Sequence, residues 1–123
     1  MKELLLVVSE ELAKLNIDYD YLAFKTVPIP YPYVVGEYYE NGYSYESNMS
    51  NGEFLLTVWD RNKTNERLIE LNEKIKQHFA DFRTIKNKVA ISIGYSTSLP
   101  VEQDSDDLKK QEIRLDISYV KGE

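Results

Sequence analysis

Cysteine is missing from all 123 residues of the chain. Disulfide staples, thiolate nucleophiles and cysteine-based zinc or iron–sulfur sites are thereby excluded. Histidine occurs once, as His78, and glycine only five times. A catalytic triad or a histidine metal site needs more partners than one imidazole supplies, and phosphate-cradling loops are short of glycine. The patterns G-x-S-x-G, G-x-G-x-x-G and G-x-x-x-x-G-K-[ST] are all absent. Long apolar runs are lacking as well. Leu4–Val8 is too short for a signal-peptide core and is followed by Glu10 and Glu11. No stretch approaches the roughly 20 apolar residues that span a bilayer. Positive charge is also scarce, with 15 basic residues against 21 acidic ones and a net charge of −6. Specific nucleic-acid binding needs a basic patch, and 83–88 and Lys109-Lys110 are too short to make one.

What the chain does have is tyrosine. Ten are present, six of them between Tyr31 and Tyr45. Such density suits protein interfaces, where a ring packs and its hydroxyl stays wet, and equally suits half-buried strand faces. An apolar share of 42% with 29% charged residues fits one globular domain, 1–123.

The spacing of Leu4, Leu5, Val8, Leu12 and Leu15 predicts a helix over 2–15, with Asn16 in the left-handed conformation at its end. Residues 18–27 read as extended. Pro28, Pro30 and Pro32 then form a stiff, polyproline-like entry to a strand over 33–40. Residues 41–52 carry two Asn-Gly turn signals and read either as an extended hairpin ribbon or as a mobile loop. Residues 53–60 are apolar on both faces, which predicts a central strand covered on both sides. A turn with Asn62 or Thr64 as cap leads to a helix over 65–82, carrying Leu68, Leu71, Ile75 and Phe79. Alternation predicts strands at Val89–Tyr95 and Ile113–Tyr119, separated by a polar loop. The expected fold is α+β: helix, three strands, helix, two strands, a mostly antiparallel sheet with two helices packed on one face.

Chemistry is sparse on this scaffold. His78 has no carboxylate at an obvious ligand spacing and reads as an inert surface histidine. Glu102, Asp104, Asp106 and Asp107 lack the glycine and terminal glutamate of a calcium loop and read as a solvated acidic loop. Carboxylate pairs among Glu37, Glu40, Glu46 and Glu53 carry no specific signal. No catalytic residue, metal site or cofactor is expected, and the chain does not read as an enzyme.

The segments PYPYVVGEYYE (30–40), GEFLLTVWDRNKTNERLIELNEKI (52–75) and IRLDISYV (113–120) resemble the tail-terminator and tail-completion proteins of long-tailed bacteriophages. In that family a proline-led strand follows the first helix. A strand ending in an aromatic then leads into a helix, and an alternating strand closes the domain. The resemblance implies a structural protein of the virion tail or the bacterial host cytoplasm. It would form a homo-oligomeric, hexameric ring that caps the tail tube and meets other tail or head-connector proteins, with no membrane partner. The two loops the core does not need would carry neighbour contacts, through Tyr43, Tyr45, Met49, Glu102 and Asp104. The alternative is a small cytosolic module that binds a partner's strand at a tyrosine-rich sheet edge.

Overall fold

Leu4, Val8 and Leu12 recur every four residues, and the computed structural model places all three, fully buried, on helix α1, Lys2–Lys14. The structure describes every residue except Thr26, Asp106 and Glu123, and leaves out the side chains of Asp104 and Ser105. Asn16 follows α1 with a φ of 59°, the left-handed geometry that asparagine tolerates. The strands are β1 (Tyr19–Tyr21), β2 (Tyr33–Ser44), β3 (Met49–Arg61), β4 (Phe82–Lys86), β5 (Val89–Ser98), β6 (Glu102–Ser105) and β7 (Leu108–Lys121). Helix α2, Glu66–Phe79, connects β3 to β4. The sheet order is β1-β2-β3-β7-β5-β4, with β6 also on β7, and β1 pairs parallel to β2 while the other pairs are antiparallel.

This architecture corrects the expected helix, three strands, helix, two strands. About half the chain is strand, and the sheet is a curled, mixed one of seven strands. Three local features account for the difference. Phe82, three residues beyond Phe79, continues a helical spacing, yet it opens β4 and packs its ring on Phe79 at 5.5 Å. The β4–β5 hairpin turns through Asn87 and Lys88, both at positive φ (49° and 66°), without the Asn-Gly pair that marks such turns. The acidic stretch contains β6, which resumes pairing with β7 after Pro100, a residue unable to donate to a ladder, interrupts the run from β5. Conversely, the extended segment expected over 18–27 shrinks to three residues because Leu22 turns at a φ of 70°. The segment 41–52 is the hairpin ribbon: β2 and β3 stay paired out to Ser44 and Met49, with a bulge between Glu40 and Gly42.

Strand alternation sorts the sheet into two faces. Val34, Phe54, Leu56, Val58, Ile91, Ile93, Ile113, Leu115 and Ile117 are buried with the apolar stripes of both helices in one cluster. The opposite face of β3, including Leu55, Thr57 and Trp59, is half-buried and shielded by neighbouring side chains, not by the second covering layer its apolar content suggested. The β3–α2 turn is held by Asp60, 1% exposed, whose carboxylate receives two hydrogen bonds from Arg67. This ion pair takes the place of the expected side-chain cap, since the N-cap is Asn65 and makes no such bond. Among the described residues, no helix is long and apolar enough to cross a membrane.

Gly52 permits a close approach on the buried face. A Cβ built there would lie against the Tyr39 carbonyl oxygen and 2.6 Å from the Tyr38 hydroxyl. The Tyr38 and Tyr19 hydroxyls are buried without a hydrogen-bond partner among the described residues, and burial pushes both well above the ordinary tyrosine value. Gly52→Ala should therefore lower unfolding stability by about 1–3 kcal/mol through overpacking. Tyr38→Phe should leave stability unchanged or raise it, because it removes a polar group that burial penalises. Urea unfolding midpoints decide both; a marked loss in Tyr38→Phe would reveal a partner for that hydroxyl.

Candidate interaction surface

Aromatic side chains project where β2 and β3 begin and end on the face away from the helices. Tyr33 and Trp59 are cross-strand partners, and their rings stack at 6.5 Å with planes 15° apart. The Tyr31 ring lies 5.6 Å and the Phe24 ring 4.8 Å from the same Tyr33 ring, both tilted against it. Two cations flank this cluster: the Arg61 guanidinium sits 5.6 Å from the Tyr31 ring centre, and the Lys110 ammonium 5.5 Å from that of Trp59. Each of the four rings is half-buried. Half-buried tyrosine and tryptophan beside arginine is the composition of the energetic centre of protein interfaces. The proline-led segment creates the patch by carrying Tyr31 and Phe24 back over the start of β2.

Next to this patch, the break between β5 and β6 opens a cleft of about 160 Å³ lined by Thr57, Leu99, Pro100, Glu102, Lys110 and Glu112. Such a volume is below the ~300 Å³ at which small-molecule sites begin. Glu102 reaches Lys110 at 3.5 Å, and Glu112 meets Arg114 at 3.3 Å. The cleft therefore holds paired carboxylates and cations, the makings of a polar rim. Among the described residues, no group of three or more His, Asp or Glu side chains is placed to hold a metal ion.

The structure divides the sequence-predicted contact residues. Tyr43, Tyr45 and Met49 lie at the tip of the β2–β3 ribbon, with Met49 opposite Val120. Tyr45 is 87% exposed and packs edge-on against Tyr43 at 5.0 Å, while Tyr43 donates a hydrogen bond to Asn48. Glu102 pairs opposite Lys110 at the other end of β7. Ten residues of strand separate Lys110 from Val120, roughly 33 Å at 3.3 Å per residue. The side chain of Asp104, like Asp106, lies outside the described residues. Glu102 thus joins the Trp59 patch, whereas the tyrosine tip forms a second surface. The sequence reading passed over Tyr33, Trp59, Arg61 and Lys110 as a set. Their signal was there in the cross-strand position of two aromatics, but only the register brings Tyr33 and Trp59 together.

His78 has a carboxylate partner that its local spacing did not show. Its Nε2 lies 2.9 Å from Glu11 Oε1, while Lys14 Nζ donates to Glu11 Oε2 at 2.6 Å. The ring also packs on Phe79 and Phe82. The carboxylate comes from α1, 67 residues earlier, so no local spacing could announce it. Burial pushes the Glu11 carboxyl up, but the hydrogen bonds from Lys14 and His78 outweigh it and hold the group below its ordinary 4.5. This network clips α1 to α2, and His78 also borders a shallow, open surface hollow with Leu15, Lys74 and Gln77.

Because the folded-state value of Glu11 is depressed, its stabilising contribution is complete above the ordinary 4.5 and is lost as pH falls through the lower folded value. Glu11→Gln should destabilise the protein at pH 7 by about 1–3 kcal/mol, as expected for a hydrogen bond to a charged group. The gap to the parent should close at acid pH. Urea titrations at both pH values test this, and a gap independent of pH would refute it. Comparison with known proteins finds no family model and no curated protein that matches this chain.

Proposed function

We propose that this chain is a structural, ring-forming subunit of a bacteriophage or prophage. It caps the tail tube and joins it to the head, acting through matched surfaces and not through catalysis. One observation carries the reading: the cluster of Phe24, Tyr31 and Trp59 around Tyr33, flanked by Arg61 and Lys110, on a sheet face that no second layer covers among the described residues. Such a surface gives an aromatic, cation-edged patch of the kind a stacking neighbour can seal. The patch is built from the proline-led entry to β2 and the end of β3, two of the segments whose sequences resemble tail-terminator proteins. In this role one surface of the ring meets the last tier of tube subunits and ends elongation, while the opposite surface receives the head connector. A net charge of −6 suits a passage through which DNA must move without adhering.

A second reading, a module that binds a partner's strand, is favoured by the outer edge of β2 past Gly36, where β1 no longer pairs with it. Light scattering with negative-stain microscopy separates the two, rings for the first and monomers saturable by peptide for the second.

The test of the first reading uses purified tail tubes of the encoding phage, polymerising with and without the chain. The parent should bind tube ends and fix tube length. Trp59→Ala should weaken end binding by about thirtyfold or more, the scale of an interface hot spot of ~2 kcal/mol. Tubes that elongate unchecked, with no chain at their ends, would overturn the proposal.

A further inference from the structure

The sheet has two open edges of opposite charge. At one, β1 pairs only with Val34, Val35 and Gly36 of β2, so from Glu37 to Ser44 β2 has β3 on one side and no strand on its outer side among the described residues, where the Tyr38 N–H is bonded to the Tyr21 hydroxyl. This edge carries Glu37, Tyr39 and Glu40, all exposed. At the other edge β4 is paired with β5 alone. It carries Arg83, 79% exposed, and Ile85, 75% exposed, with Lys86 and Lys88 beside them. An exposed isoleucine on an unpaired edge invites another strand.

We infer that the β4 edge of one copy pairs with the Glu37–Ser44 edge of β2 in a second copy of this chain, continuing the sheet from subunit to subunit. Direction and face both fit. Following the pairings across the sheet, β4 runs the same way as β2. A second copy that keeps its helices on the same side therefore presents β4 parallel to β2. Arg83 and Ile85 lie on the face away from the helices, as do Glu37 and Tyr39. In the parallel register that sets Arg83 beside Glu37, Ile85 falls beside Tyr39. Lys86, already bonded to Glu10 at 2.6 Å, comes next to Glu40 on the helix side. The antiparallel alternative would place Ile85 against Glu37 and Arg83 against Tyr39. Symmetric pairing fares worse, since β4 on β4 brings together two edges carrying Arg83, Lys86 and Lys88, and β2 on β2 two edges carrying Glu37 and Glu40, and like charges across a strand pair are destabilising.

The contact is heterologous, because the two edges differ. Repetition of a heterologous contact through curled sheets closes into a ring or runs on as a spiral. The inference rests on the ring-forming reading only for that closure; the pairing of edges stands on their charge, direction and exposure.

The absence of cysteine makes the test clean, since introduced thiols are the only ones present. Ile85→Cys and Tyr39→Cys are prepared separately, mixed at high concentration under mild oxidation, and resolved on non-reducing gels. Neighbouring strands lie ~4.8 Å apart, within the span a disulfide bridges. The mixture should give a disulfide between unlike variants, with about tenfold less product in either variant alone. Adding Arg83→Glu to the Ile85→Cys protein should suppress the product, and adding Glu37→Arg to its partner should restore it. Equal self-linkage of Ile85→Cys would mean a symmetric dimer, and no disulfide in any mixture would mean these edges do not meet; either overturns the inference. Unlike variants that link while the chain ignores tail tubes would remove the proposed function and leave the edge pairing intact. Rings on tube ends without the 39–85 disulfide would do the reverse.

Discussion

The ladder between β3 and β7 is the constraint on which the other elements depend. Every residue of β3, from Met49 to Arg61, has a partner on β7 in unbroken register. That register aligns Phe54 with Leu115 and Leu56 with Ile113 on one face, and both helices bury their apolar stripes against the resulting patch. A slip of one residue would turn all of these side chains outward, so the apolar alternation holds the register and the register holds the helices. β2 attaches to one side of this ladder and β5 to the other. The ladder also sets the distance between the two outlying surfaces, since Trp59 and Met49 stand near its opposite ends.

Its buried face carries more polar tailoring than an all-apolar core would need. Ser50, Asp60, Lys109 and Gln111 are each under 9% exposed on β3 and β7. Most of these groups are spoken for: Asp60 by Arg67, Lys109 by the Lys63 carbonyl, and Gln111 Nε2 by the Leu99 carbonyl. The bonds tie loops to the ladder's ends: the β3–α2 turn through Asp60 and Lys109, and the β5–β6 break through Gln111. A buried charge without such a partner is far costlier than a buried hydrocarbon, so these pairs fix the loops as firmly as packing does. The Trp59 patch sits over the same end, on a backbone that these bonds keep rigid.

Local periodicity made the helices and the long strands legible, because their signal lies within a few residues. Leu68, Leu71, Ile75 and Phe79 announce α2, and Ile113, Leu115 and Ile117 announce β7. Elements whose evidence is distant stayed hidden. β4 has little apolar alternation of its own, and β6 is a polar stretch whose only neighbour is β7. The total of seven strands and the parallel place of β1 were therefore out of reach. The same reasoning covers the surfaces. Tyr43 and Tyr45 at an Asn-Gly ribbon could be read as exposed, whereas the Tyr33–Trp59 stack and the His78–Glu11 pair needed the chain's long-range register.

One small bond gives the long strand edge a further property. Tyr38 N–H points away from β3, and the Tyr21 hydroxyl accepts its hydrogen bond at 3.1 Å. β1 thus blunts the edge two residues beyond Gly36, the last residue it pairs. Any strand that docks there must first break a bond already made, so a single stray contact gains nothing. Only a segment forming several bonds together passes that threshold. The cost of that one bond therefore falls harder on a short match than on a long one.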